Sequence, residues 1–264
     1  MKRVLLTGST GKMGLECVKT LFNSDEFELV GVVGNTKFLG EDIGIHTVGK
    51  PINLIISNDF DKIFEETKPD ILLDVTNGSV AYDLMKKSLL NGVSCVTGST
   101  GFDEEQLQDL KKITEEKNLT CLVIPNFSIG AVLMMKFAQE AGKYFDNAEI
   151  IELHHEKKKD SPSGTALKTA EMIAKNNKKY NQGLPESEEK IEGCRGGTLE
   201  NINIHSVRLP GFVATQEVIF GGLGQSLIIK HQTIGRDAYM PGVVFSLKKC
   251  VELIGYIYGL ENLI

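Results

Sequence analysis

Short apolar runs alternate with amphipathic stretches through the first half of the chain. Val4–Leu6 is apolar, Gly11–Phe22 carries Met13, Leu15, Val18, Leu21 and Phe22 at helical spacing, and Phe27–Val33 is again apolar and β-branched. The same pattern predicts strands at Ile52–Ile56, Ile71–Val75, Ser94–Val96 and Cys121–Ile124. It predicts helices at Asp59–Glu66, Val80–Leu90 and Glu104–Lys117. Strands separated by helices of this length are βαβ units, and right-handed crossovers stack them into a doubly wound parallel sheet. The fold class expected is α/β and Rossmann-like.

Near residue 125 the rhythm changes. Ser128–Tyr144 predicts a long helix rich in Ala and Met, Glu149–His155 a strand, and Ser163 to Lys178 a helix. Asn177–Glu189 is polar and is expected to be an exposed loop. Ile202–Val207, Thr215–Phe220 and Ser226–His231 predict three strands, with Gly221-Gly222-Leu223-Gly224 as a hairpin turn. This block is expected to be an α+β unit with an antiparallel or mixed sheet. Asp237–Gly259 predicts one long terminal helix that returns to the first domain.

Composition narrows the class. The 264 residues suggest about two domains. With 41% apolar and 24% charged residues, the chain is an ordinary globular one. A net charge of −6 argues against a nucleic-acid partner. No apolar run approaches the ~18 residues of a membrane span. The basic head Met1-Lys2-Arg3 is followed by too short an apolar run for a signal peptide. Cys17, Cys95, Cys121, Cys194 and Cys250 are odd in number and free of any Cys-x-x-Cys, which fits reduced thiols in a cytoplasm and no metal site.

Candidate chemistry lies first at Gly8-Ser9-Thr10-Gly11-Lys12-Met13-Gly14, between the first strand and the first helix. Phosphate needs close backbone approach, free N–H groups and a positive helix end. Gly8 suits the tight turn, Gly11 the approach to a pyrophosphate, Gly14 the helix–strand contact, and Lys12 adds charge. The Gly-x-x-Gly-x-x-Gly spacing is one residue longer than the usual dinucleotide fingerprint. After the second strand stand Gly34-Asn35-Thr36-Lys37, with no ribose-binding acid and Lys37 nearby, which points to tolerance of both NADH and NADPH or to a preference for NADPH. Gly98, Ser99 and Thr100, and Ile124, Pro125, Asn126 and Phe127, follow two further strands. Loops there flank a ligand at the carboxyl edge of a parallel sheet. Asp74-Val75-Thr76-Asn77 is a weaker candidate of the same kind.

The densest polar cluster is His154-His155-Glu156-Lys157-Lys158-Lys159-Asp160, after the strand-like Ile150-Ile151-Glu152-Leu153. Ser161-Pro162-Ser163-Gly164-Thr165 then has the marks of a capped helix start whose N–H groups suit an anion. Imidazole and ammonium groups beside it suit an acidic substrate and proton transfer. Adjacent His on a strand point to opposite faces, which argues against a shared metal.

Together these motifs resemble the 4-hydroxy-tetrahydrodipicolinate reductase (dihydrodipicolinate reductase) family. The most specific part is Glu152-Leu153-His154-His155 with Lys158, Asp160 and Pro162-Ser163-Gly164-Thr165-Ala166-Leu167. Pro125 to Gly130, His205 to Arg208, and His231 with Arg236 and Gly242 support it. The resemblance implies a dinucleotide-binding domain of residues 1–126 and 236–264, and a substrate-binding and oligomerisation domain of 127–235. It implies NADH- or NADPH-dependent reduction of a small dicarboxylate, 4-hydroxy-tetrahydrodipicolinate, in lysine and diaminopimelate biosynthesis, by a homotetramer. By position His154 would be the acid/base group and Lys158 the proton donor. His155 and the Ser163-Gly164-Thr165 turn would hold the substrate. Gly8 to Met13, Gly98 to Thr100 and Ile124 to Phe127 would hold the cofactor. Asn35, the Asp237-Ala238-Tyr239-Met240-Pro241 stretch before Gly242, and Val75-Thr76-Asn77 after Asp74 depart from the family pattern.

Two other readings stay open in the residues. Tyr82 and Lys86 have the Tyr-x-x-x-Lys spacing of short-chain-type reductases. A nucleotide sensor without turnover would share the fold. Neither accounts for the His154–Thr165 stretch.

Overall fold

The computed structural model describes residues 1–176, 183 and 188–264. The expected polar loop Asn177–Glu189 lies almost wholly outside the described residues, as do the last two residues of the helix expected to reach Lys178. The chain divides into two compact units, Met1–Ser128 with Tyr239–Ile264, and Ile129–Ala238.

The first unit holds β1 (Lys2–Thr7), α1 (Lys12–Phe22), β2 (Phe27–Val33), α2 (Ile43–Thr47), α3 (Phe60–Thr67), β3 (Ile71–Asp74), α4 (Gly78–Leu90), β4 (Ser94–Thr97), α5 (Glu104–Lys117) and β5 (Thr120–Val123). Its sheet is six-stranded and parallel, and β2, β1, β3, β4 and β5 take the first five places in that order. Every residue of β3 and β5 is buried. Helices cover both faces of such a sheet, so its strands appear as unbroken apolar runs rather than alternating ones. Helix boundaries follow local chemistry. Asp103 and Gln106 form a reciprocal capping box at the start of α5, and Asn118 ends it in the left-handed region at φ 55°.

Two expectations are corrected here. Ile52–Ile56 is not a strand. Asn53 sits at φ 62°, which no extended run can pass through, and Asp42 accepts from the Ile52 N–H with both carboxylate oxygens. The segment pairs with residues 41–43 through Ile43 N to Leu54 O and Ile56 N to Glu41 O, leaving one parallel bridge from Ser57 to Val33. Nor is Asp237–Gly259 one helix. A 3₁₀ turn at Arg236–Tyr239 precedes α8 (Met240–Glu252), and Leu253, at φ −105° and ψ 163°, is already extended, two residues before Gly255 at φ 122°. Gly255–Tyr258 then forms a sixth parallel strand against β5.

The second unit holds α6 (Ile129–Ala141), β6 (Asn147–His154), α7 (Gly164–Ala174), β7 (Gly197–Leu199), β8 (Ile202–Arg208), β9 (Ala214–Gly222) and β10 (Gln225–Thr233). The Gly255–Tyr258 strand is therefore β11. The five strands lie in the order β10, β9, β6, β8, β7. The sheet is mixed, because β6 and β8 run parallel while the other neighbours are antiparallel. The β9–β10 turn is Leu223-Gly224, with Gly224 at φ 69°. β7 was not expected from sequence. Glu200 and Asn201, both at positive φ, turn it back onto β8 as a two-residue hairpin. The inward face of β6 carries Ala148, Ile150 and Glu152, all buried.

Candidate active site

In the first unit the sheet order turns about β1, which lies between β2 and β3. Ligands of open α/β sheets bind outside the carboxyl ends of strands at such a point. The loop there is cut to close tolerances. A Cβ on Gly8, which sits at φ 75°, would lie 2.7 Å from the Val75 carbonyl oxygen. A Cβ on Gly14 would lie 2.2 Å from that of Gly8, so α1 is pressed onto its own entry turn. Ser9 donates to the Val33 carbonyl with both its N–H and its hydroxyl, each at 3.0 Å. Thr10 packs on Gly34, where a Cβ would come within 2.8 Å of its methyl group. Gly11 caps α1 without a side-chain acceptor, so the positive helix end is left to a ligand, and Lys12 beside it is exposed. These features fit a dinucleotide pyrophosphate. Asn35 and Lys37 are exposed past the end of β2.

Asp74, at the end of β3, is fully buried. It accepts from the hydroxyls of Thr7 at 2.8 Å, Thr76 at 2.6 Å, Thr97 at 2.7 Å and Ser99 at 2.5 Å. One carboxylate thus ties together the carboxyl ends of β1, β3 and β4. The Gly98 N–H donates to the Asp74 carbonyl and the Ile124 N–H to that of Thr97. Phe127 locks the next loop. Its ring would lie 2.6 Å from a Cβ on Gly98, and its carbonyl 1.8 Å from one on Gly242 in α8. Asn126 closes the turn by accepting from the Ser128 N–H at 2.9 Å. The loops carrying Ser99–Thr100 and Ile124–Phe127 are therefore brought to the same edge as Gly8–Met13. A shallow recess of about 160 Å³ lined by Lys2, Ile71, Ser94 and Thr120 lies at the opposite, amino edge.

In the second unit β6 ends at His154. The His154 Nδ1 bonds Glu152, two residues back on the same strand face. Glu152 is wholly buried and also accepts from Arg208 Nη1 at 3.0 Å and Nη2 at 2.7 Å. Burial pushes the Glu152 carboxyl up, but the hydrogen bonds from His154, Arg208 and Ser206 outweigh it and hold the group at about 2. After His154 the chain turns, with the Lys158 N–H on the His155 carbonyl at 3.1 Å. The Lys158 ammonium lies 2.8 Å from both oxygens of Asp160, whose carboxyl is held low by that contact. Asp160, from the same cluster, is thus the acid that pairs with Lys158. The cap of α7 is Ser163, whose hydroxyl oxygen accepts from the Ala166 N–H at 3.2 Å. Gly164 is exposed with nothing within 4 Å of a would-be Cβ, so the helix entrance is open, and Thr165 stands beside it half-buried.

Tyr82 and Lys86 serve elsewhere. Tyr82 donates to Asp109 at 2.7 Å, and Lys86 donates to Tyr82 at 3.1 Å and pairs with Asp109 at 2.8 Å. The trio ties α4 to α5. Sequence reading gave no role to Glu152, Arg208 or Asp160, although Glu152 and His154 stand two apart in an otherwise apolar strand. Among the described residues no group of three or more His, Cys, Asp or Glu is placed to hold a metal ion.

A doubly wound parallel sheet with a glycine-cut phosphate loop, accompanied by a mixed-sheet unit bearing a His–Lys site at a helix entrance, defines a nicotinamide-dependent oxidoreductase. Family models described as dihydrodipicolinate reductase match residues 2–127 (N-terminus) and 130–264 (C-terminus). A 4-hydroxy-tetrahydrodipicolinate reductase of Syntrophomonas wolfei is 47% identical over 262 residues, covering 99% of this chain and 98% of that protein. One from Listeria innocua is 47% identical over 265 residues, covering 99% of each. The solved structure of dipicolinate-bound dihydrodipicolinate reductase from Paenisporosarcina sp. TG-14 superposes with a TM-score of 0.90 at 41% identity, over 100% of both chains. This chain belongs to the dihydrodipicolinate reductase family.

Proposed function

We propose that the chain reduces 4-hydroxy-tetrahydrodipicolinate to tetrahydrodipicolinate, with loss of water, using NADH or NADPH, in lysine and diaminopimelate biosynthesis. The observation that carries this reading is the continuous His154–Thr165 stretch. It puts an imidazole, an ammonium and an open helix entrance on consecutive elements of one unit. The cofactor, when bound, supplies the hydride. Gly8, Ser9, Thr10, Gly11, Lys12 and Met13 hold its pyrophosphate, and Gly98–Thr100 and Ile124–Phe127 hold its nicotinamide half. His154 acts as acid/base through Nε2, since Nδ1 is engaged by Glu152. Lys158 donates the proton. His155, Ser163, Gly164 and Thr165 hold the substrate carboxylates at the positive end of α7. The dipicolinate named in the Paenisporosarcina structure is a dicarboxylate of the kind such a site accepts.

Four of the five free thiols are buried, which supports a reducing cytoplasmic setting. Leu223, Leu227 and Ile228 are exposed on the β9–β10 hairpin, which supports assembly through this sheet into a homotetramer. Sedimentation would read the oligomer. The test of function is a coupled assay in which a synthase makes the substrate from pyruvate and aspartate semialdehyde. Nicotinamide absorbance is followed with each cofactor separately. Synthase-dependent oxidation is expected with both. Its absence from folded, nucleotide-binding protein would end the proposal.

A further inference from the structure

We propose that Glu152 and Arg208 are positioning residues that fix the proton of His154 on Nδ1 and hold the Lys158 loop in the same grip. This deepens the reading above and rests on His154 being the acid/base group.

Five contacts, all within the second unit, carry it. His154 Nδ1 bonds the Glu152 carboxylate, and among the described residues Nε2 has no hydrogen-bond partner. A carboxylate accepts only, so the nitrogen facing it must carry hydrogen, and Nε2 is left to exchange a proton. Arg208 clasps Glu152 with both terminal nitrogens, at 3.0 and 2.7 Å, a fork that fixes the plane of the carboxylate. The same guanidinium donates 2.9 Å to the Asp160 carbonyl, in the loop where the Asp160 side chain holds the Lys158 ammonium. The Leu209 N–H then closes on the His154 carbonyl at 3.0 Å, so β8 delivers Arg208 in fixed register with β6. The ionisable groups about His154 are thus Glu152 on its own strand, Arg208 from β8, and His155, Lys158 and Asp160 in the loop. From β9 the register partners are Ala214 for His154 and Gln216 for Glu152, neither of which titrates.

Burying a carboxylate and a guanidinium gives little net stability. An interior carboxylate that orients an imidazole has a clear chemical use, because the wrong tautomer removes catalysis while leaving the fold in place.

The experiment uses full-length protein labelled with ¹⁵N-histidine, with His154 signals assigned by H154Q. The wild type is expected to show the Nδ1–H tautomer. In Glu152→Gln the amide can donate to Nδ1. We expect a shift toward Nε2–H, a fall in kcat of about 10²–10⁴-fold, and cofactor affinity within threefold of wild type. Arg208→Lys keeps the charge and loses the fork, and is expected to lower kcat about tenfold with a mixed tautomer. Wild-type kcat with an unchanged tautomer in both variants overturns the proposal. So does lost activity with the Nδ1–H tautomer intact, which would show a structural role only. If Glu152→Gln does not fold, Arg208→Lys decides by the same two readouts. The tautomer measurement needs no substrate. A wild type with the expected tautomer and no turnover therefore counts against the reaction, not the positioning.

Discussion

Lys158 is held 2.8 Å from both carboxylate oxygens of Asp160, which leaves the third N–H of its ammonium for a substrate. Lys158→Ala should lower kcat/KM by about 10²–10⁴-fold in the coupled assay, the range for a lost general acid. Near-normal turnover would remove Lys158 from the chemistry. Glu152 allows a second expectation at this scale. Its folded carboxyl lies near 2, below the ordinary 4.5. The stability it contributes is complete above about pH 4.5 and disappears as pH falls toward 2. Acid titration of unfolding free energy should therefore be steeper for wild type than for Glu152→Gln across that window. Parallel curves would mean that Glu152 is not held low. At residue scale the sequence shows which side chains are present, and spacing places His154, Lys158 and Gly164 along one stretch. Arg208 is invisible to that reading. It lies 56 positions from Glu152, and only the pairing of β6 with β8 brings them together.

Elements differ in how far local pattern fixes them. Phe27–Val33 and Glu104–Lys117 form as the pattern predicts, because burial and caps agree with it. Ile52–Ile56 fails because apolar content says nothing of φ, and Asn53 takes the left-handed region while Asp42 claims the Ile52 N–H. The terminal helix was overextended because Leu253 and Ile254 continue its apolar pattern. Gly255 with two tyrosines after it was the available sign of a strand. The start of α7 sets helix propensity against ligand access. Gly164→Ala adds a methyl to open space at the first helical position. It should raise thermal stability slightly, by up to ~1 kcal/mol, while raising substrate KM by narrowing the entrance. Calorimetry and steady-state kinetics should thus move in opposite senses. A KM unchanged with stability raised would take substrate carboxylates away from that turn.

At the scale of the whole molecule, the first unit is assembled from segments that precede and follow the second in sequence. Its sheet is completed by β11, which pairs in parallel with β5. Ending the chain after Glu252 should expose the β5 edge, lower the denaturation midpoint and promote aggregation. A truncated protein as soluble and stable as the full one would show that β11 is dispensable. The two-part division was legible as a change of rhythm near 125, since helices and strands of different sheet types differ in spacing. The sixth strand was not, because its partner lies more than a hundred residues earlier.

That arrangement sets an order of events on the ribosome. β5 emerges at residue 123, and its partner begins at 255. At about 5–20 residues per second β5 waits roughly 7–26 seconds for that partner. The whole second unit is synthesised within that interval. Folding of the nucleotide half during translation is therefore completed only after the second unit has been made.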